Sequence, residues 1–224
     1  MHVGRVMQRE LITIPPDTSV IEARRITAEK KIDHLLVVNR KGKLKGILSD
    51  RDLKQSWASP ATTLSQHELN YLLDQLTAEM IMSSKVIAVL PETTIERAAR
   101  IMQEENISAL PVMESDQQDN LAGIITRTDV MQVLLEAIGI DSDSTRFTVI
   151  VKDRTGVIAE ISKLLVEHDI NIRSLVTWPE KDHPGAYQLV LRVPARHGDQ
   201  AVAVLEENGF KVLISYPGNI EDYL

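Results

Sequence analysis

Gly46-Ile47-Leu48-Ser49-Asp50-Arg51-Asp52 and Gly123-Ile124-Ile125-Thr126-Arg127-Thr128-Asp129 are two copies of one phrase: a glycine, two apolar residues, a hydroxyl residue, two variable positions and an aspartate. Working outward from them, the duplication extends over most of the first two thirds of the chain. Upstream, the apolar runs Leu35-Leu36-Val37-Val38 and Leu110-Pro111-Val112-Met113 each read as a short buried strand. Further back, Val20, Ala23, Ile26 and Ile32 align with Ile95, Ala98, Ile101 and Ile107, spacings that put one apolar stripe on a helix packed against a sheet. The leading segments also match, Met7 with Met82 and Pro16-Asp17-Thr18 with Pro91-Glu92-Thr93. Thr18 and Thr93 stand just before the helices and are the expected caps of their first turns. Each unit therefore predicts strand, helix, strand, strand, helix.

The duplicated Gly-apolar-apolar-Ser/Thr-x-x-Asp strand end and the duplicated Pro-Asp/Glu-Thr turn resemble a tandem pair of CBS domains, over roughly residues 1–138. The resemblance implies two units packed about a pseudo-twofold axis with two clefts for adenosine-type nucleotides. In one cleft it implies Ile12, Asp33 and His34 against the adenine, with Ser49, Arg51 and Asp52 at ribose and phosphate. In the other it implies Ile87, Ser108 and Ala109, with Thr126, Arg127, Thr128 and Asp129. The chemistry agrees: one carboxylate can accept both hydroxyls of a ribose diol in charge-assisted bonds, the Ser49 or Thr126 hydroxyl can donate to ligand oxygen, and an arginine can neutralise phosphate. The pattern also fits plain helix caps at Asp52 and Asp129.

The clefts differ in charge. Arg40-Lys41-Gly42-Lys43-Leu44-Lys45 is basic, whereas Ser115-Asp116-Gln117-Gln118-Asp119 is acidic, so the more phosphorylated ligand is expected near Lys43, Lys45 and Arg51. Leu36 also departs from the pattern set by Pro111. Between the units, Ser59-Pro60-Ala61-Thr62-Thr63-Leu64-Ser65 is followed by an expected helical run over 66–76, and this insertion is similar to that of the acetoin-utilisation AcuB family.

After Gly139-Ile140-Asp141-Ser142-Asp143-Ser144, which reads as a linker, the character of the chain changes. Strands are expected over 147–152, 171–178, 187–193 and 211–215, with helices over 156–168 and 199–208, giving a ferredoxin-like βαββαβ order. Asp153-Arg154-Thr155-Gly156-Val157-Ile158-Ala159-Glu160-Ile161 and Asp169-Ile170-Asn171-Ile172 resemble the ACT domain, which implies an amino-acid site at Asp153, Gly156, Val157, Ile158, Asn171 and Ile172. Gly156 would let a carboxylate approach the amides of the helix start. Helix capping by Asp153 and Thr155, with the sheet edge serving dimerisation, fits the same residues.

Composition narrows the classes. With 25 basic and 32 acidic residues the net charge is -7, which disfavours nucleic acid as a partner. The absence of cysteine removes disulfides and thiolate metal sites, and the six histidines lack metal-ligand spacing. No stretch approaches the roughly 18 apolar residues of a membrane span, and Met1-His2-Val3-Gly4-Arg5 does not begin a secretory signal. Phosphate-loop, dinucleotide-fingerprint, nucleophile-elbow and zinc-protease motifs are missing.

The resulting expectation is an α/β (α+β) chain: residues 1–57 CBS domain 1, 58–78 an inserted helix, 79–138 CBS domain 2, 139–144 a linker, 145–218 an ACT-like domain and 219–224 a tail. Its function is read as non-catalytic: a cytoplasmic, homodimeric regulator without a resident cofactor or metal. It would sense AMP, ADP, ATP or S-adenosylmethionine, with a possible amino acid in the ACT domain, and act on an unknown regulated protein in acetoin or related carbon metabolism. The alternative is a dimerisation or partner-binding scaffold that takes no nucleotide.

Overall fold

The computed structural model describes residues 1–56, 71, 73–115, 118–140, 143–181 and 183–215. Most of the insertion lies outside them, as do residues 141 and 142 of the linker and the tail at 219–224; of the helical run expected over 66–76, residues 71 and 73–75 are described and helical, with Leu73 buried in the core of repeat one. The chain divides into two compact units, residues 1–131 and 132–224.

The duplication occupies the first unit, and its last helix runs on across the division at residues 131 and 132. Repeat one runs β1 (Thr13–Ile14), α1 (Val20–Lys30), β2 (His34–Val38), β3 (Leu44–Ser49) and α2 (Asp50–Ser56). A helical turn α3 (Ala78–Ile81) leads into repeat two, which contains α4 (Ile95–Glu104), β4 (Ala109–Ser115), β5 (Gln118–Thr126) and α5 (Arg127–Ile138). The expected first strand of repeat two is reduced to one parallel pair, Val89 with Val112. Pro111 supplies the reason. In repeat one the Leu36 amide reaches back to the Ile12 carbonyl at 3.4 Å. Proline has no amide to make the equivalent bond, so the ladder stops after one pair.

The helix caps also sit one residue later than expected. Ser19 Oγ accepts from the Glu22 amide at 3.3 Å, and Thr94 Oγ1 from the Arg97 amide at 3.2 Å. Thr18 and Thr93 are instead committed to the preceding turns, their amides donating to the carbonyls of Pro15 and Leu90. Both helices end in a left-handed residue, Lys31 and Asn106, after which Ile32 and Ile107 donate back to Thr27 and Met102.

β2 is buried on both faces. Leu35 and Val37 pack with Ile14, Val20, Ala23, Leu48, Leu53 and Ala78, whereas Leu36 packs with Ala109 and Ile124 of the other repeat. An uninterrupted apolar run is what such a strand requires. Repeat two buries Val89, Ile95, Ala98, Met102, Leu110, Val112 and Ile125.

The repeats are joined by exchange of their leading segments. The amides of Val3 and Gly4 donate to the carbonyls of Thr93 and Pro91, and those of Ala78 and Glu79 donate to Thr18 and Pro16. Gln8 forms a reciprocal backbone pair with Ile124, as Ser83 does with Ile47. Each leading segment thus completes the other repeat.

The second unit is the expected βαββαβ domain: β6 (Ser144–Lys152), α6 (Val157–Glu167), β7 (Ser174–Pro179), β8 (Ala186–Pro194), α7 (Gly198–Glu207) and β9 (Lys211–Leu213), in sheet order β7-β8-β6-β9. Alternate residues of β6 (Phe147, Val149, Val151) and β8 (Leu189, Leu191, Val193) meet Ile161, Leu165, Ala201 and Leu205 of the helices. Asp143, expected in a linker, is anchored: its carboxylate pairs with Arg173 at 2.9 Å and its carbonyl accepts from the Ala195 amide. Among the described residues, no helix is long and apolar enough to cross a membrane.

The exchange sets a test. A β-carbon at Gly46 would collide with the Met82 side chain and lie 3.0 Å from the Ser83 carbonyl oxygen; one at Gly123 would lie 2.7 Å from Met7 Sδ and 2.9 Å from the Gln8 carbonyl oxygen. Gly46→Ala and Gly123→Ala should each lower stability by ~1–3 kcal/mol in urea denaturation. Pairing Gly46→Ala with Met82→Ala should restore part of the loss, and an unchanged midpoint for both single variants would contradict this packing.

Candidate functional site

The duplicated motif folds into two matching capping boxes. Ser49 Oγ accepts from the Asp52 amide at 3.3 Å, while Asp52 Oδ2 accepts from the Ser49 amide at 2.8 Å and hydroxyl at 2.6 Å. Thr126 and Asp129 repeat this at 3.2, 2.8 and 2.7 Å. The hydroxyl residue is the cap and the aspartate lies in the first turn of α2 or α5. Capping therefore accounts for one oxygen of each carboxylate. The hydroxyl protons of Ser49 and Thr126, expected to face ligand, are donated to the aspartates instead.

The sheet brings the remaining residues to the same strand ends. His34 is paired with Ser49 across β2 and β3, and Ala109 with Thr126 across β4 and β5. The Asp33 carbonyl accepts from the Asp50 amide and the Ser108 carbonyl from the Arg127 amide, both at 2.8 Å. Ile12 and Ile87 are half-buried at the start of the first-strand segments. Arg51 and Thr128 are exposed beside the aspartates, while the Arg127 guanidinium donates to the Ile107 carbonyl at 2.8 Å.

Two expectations change. Lys43 and Lys45 belong to the opposite end of the β2–β3 hairpin from Asp52: the strands pair His34 with Ser49 at one end and Val38 with Leu44 at the other, about 13 Å away at strand rise. They do not provide phosphate charge beside Asp52, where Arg51 of the same helix turn stands. The matching acidic segment of repeat two falls partly outside the described residues.

The residues assigned to separate clefts also touch. His34 Nε2 and Ser108 Oγ form a hydrogen bond at 2.8 Å between the repeats. Burial holds the His34 imidazole below its ordinary range, against the opposing pull of the Asp33, Asp52 and Asp50 carboxylates.

Sequence reasoning missed Gln8. Its Nε2 donates to Asp129 Oδ1 at 3.2 Å and lies 3.4 Å from Oδ2, bringing the first leading segment against the second capping box. The constant repeat offset places Ser83 at the matching position of repeat one, a signal that was legible once the exchange of segments was known.

In the second unit, Gly156 has φ +91° before α6 and open space where a side chain would begin. Asp153 is exposed, and Ile158 lies at the surface. Val157 belongs to the buried core and Ile172 packs against it. Asn171 follows the far end of α6, so a helix about 16 Å long separates it from Gly156 within one chain.

Residues 3–58 and 78–136 match the family model described as CBS domain, and residues 145–209 that of the ACT domain. The chain belongs to the CBS-domain family and carries a C-terminal ACT domain. The CBS pair is 31% identical over 135 residues to homoserine O-acetyltransferase of Methanohalobium evestigatum, a match covering 60% of this chain and 24% of that protein. It is 29% identical over 136 residues to a CBS domain-containing protein of Dictyostelium discoideum, covering 61% of this chain and 92% of that one. The chain thus spans about a quarter of the acetyltransferase's length.

Among solved structures, the CBS pair of protein MJ0100 in complex with 5′-methylthioadenosine and S-adenosyl-L-methionine is similar at TM-score 0.50 and 26% identity, covering 60% of this chain and 95% of that one. A candidate acetoin utilization protein (AcuB) from Vibrio cholerae is similar at TM-score 0.50 and 26% identity, covering 62% and 94%.

The depressed His34 pKa has a definite sign. An unfolded histidine takes up a proton near pH 6.5, whereas the folded one resists it, so its contribution is present above that value and lost as pH falls through the lower folded pKa. The urea midpoint should drop between pH 7.5 and 5.5 by more in the wild type than in His34→Gln. Parallel pH profiles for the two would show that this contact carries no linkage.

Proposed function

We propose that the CBS pair of this chain binds adenosine-type ligands and that the chain is a regulator rather than a catalyst. The supporting observation is the duplicated capping box, which uses Oδ2 of Asp52 and of Asp129 and leaves Oδ1 of each outside the cap. A carboxylate oxygen has lone pairs enough to accept both hydroxyls of a ribose. The proposed first cleft comprises Ile12, Asp33, His34, Ser49, Arg51 and Asp52. The second comprises Ile87, Ser108, Ala109, Thr126, Arg127, Thr128 and Asp129. The adenosine compounds held by the MJ0100 CBS pair support this class of ligand.

The mechanism we attach to it is a population shift. Ligand held between strands of the two repeats favours one packing of the pair, and the ACT domain or a partner protein responds. Likeness to the Vibrio cholerae AcuB supports placing this cytoplasmic, homodimeric regulator in acetoin or related carbon metabolism. The ACT domain, through Asp153 and Gly156, is the proposed amino-acid site; Val157 and Ile172 act there only by shaping the core.

Isothermal titration of the full chain with AMP, ADP, ATP and S-adenosylmethionine tests the nucleotide reading. At least one should bind saturably, and Asp52→Asn or Asp129→Asn should weaken the corresponding site about 10- to 100-fold, the range for a lost charge-assisted hydrogen bond. No binding by any of the four would sink it. Titration with the twenty standard amino acids separately tests the ACT site, and uniform silence would remove that assignment.

A further inference from the structure

The two capping boxes match to within about 0.1 Å, yet their surroundings differ at one position. At Asp129, Gln8 donates its side-chain amide to Oδ1, the oxygen the cap leaves over. At Asp52 the matching position is Ser83, and among the described residues Asp52 accepts only from Ser49. The difference lies in side-chain reach, because the backbones agree: Gln8 pairs with Ile124 at 2.9 and 3.0 Å, and Ser83 with Ile47 at 2.9 and 3.1 Å.

We infer that Gln8 is an internal occupant of the second cleft: its amide holds the Asp129 oxygen that a ribose would use, so the Asp52 cleft fills first and the Asp129 cleft fills only as Gln8 is displaced. This rests on the nucleotide reading above and assigns the order of the two sites. The contact suits displacement. It is exposed, and its two donor–acceptor distances, 3.2 and 3.4 Å, are long for an amide against a carboxylate. A ligand hydroxyl arriving at Asp129 can form a shorter bond in its place. Displacing the side chain leaves the leading segment in position, since the backbone pair with Ile124 does not involve it.

The test isolates the second cleft by working in an Asp52→Asn background. Isothermal titration of the full chain with AMP and with S-adenosylmethionine compares Asp52→Asn with Asp52→Asn/Gln8→Ala and with Asp52→Asn/Gln8→Ser. The last places at the second cleft the residue type found at the first. Removing Gln8 should tighten binding about three- to tenfold, the effect of releasing one competing hydrogen bond. Adding Asp129→Asn should abolish the gain. Unfolding midpoints should agree among the variants, because the exchanged backbone pair is kept.

Unchanged affinity on removal of Gln8 would overturn the inference, and weaker affinity would too, by making Gln8 a ligand contact. In either case saturable binding by the wild type leaves the nucleotide reading standing. If the wild type binds neither probe and no Gln8 variant gains binding, the inference falls, and the nucleotide reading falls with it only when ADP and ATP are silent as well.

Discussion

The exchange of leading segments is the constraint on which the first unit depends. Gln8 with Ile124 and Ser83 with Ile47 are single backbone pairs, but each fastens the start of one repeat to the last strand of the other. Behind them, Val3 and Ala78 are fully buried against the partner repeat's turn, and Met7 and Met82 lie against Gly123 and Gly46, where a β-carbon would collide with them. Neither repeat can leave the other without exposing these apolar residues and breaking these backbone pairs. The aspartates follow on from this. Asp52 and Asp129 sit immediately after the strands that the exchange immobilises.

How much of this is legible in the sequence depends on whether the cause is local. Strand runs, helix stripes and the duplicated Ser/Thr-x-x-Asp carry their own periodicity, and the βαββαβ order of the second unit was readable for the same reason. Helix caps were misplaced by one residue because Thr18 and Ser19, like Thr93 and Thr94, are equally good caps in isolation. The turn formed with Pro15 or Leu90 decides between them. Lys43 and Lys45 misled because charge was counted along the chain, whereas a hairpin carries its tip away from its base. Pro111 was visible as a departure from Leu36, but its consequence, the loss of one ladder bond, needs the strand partner to be known. Gln8 was out of reach altogether: nothing within its own repeat marks a residue that acts in the other.

The imperfect symmetry is itself informative. Two copies of one module under the same exchange should give equal clefts, so inequality must come from positions where the copies differ. Such differences at the sites include Leu36 against Pro111, Asp33 against Ser108, His34 against Ala109, Arg51 against Thr128 and Gln8 against Ser83. Most of them change polar side chains at exposed or half-buried positions, as expected where packing constrains the core and leaves the rim free to diverge.

His34 and Ser108 then link what the differences separate. Their hydrogen bond joins a residue of the proposed first cleft to one of the proposed second, so a ligand that moved either side chain would act on both. Any such coupling is reciprocal: if filling the first cleft eases entry to the second, filling the second must tighten the first by the same factor. Under the inference drawn above, Gln8 adds a threshold on one side only. On the proposed reading, two sites made unequal in this way respond over a wider range of ligand concentration than two equal sites would.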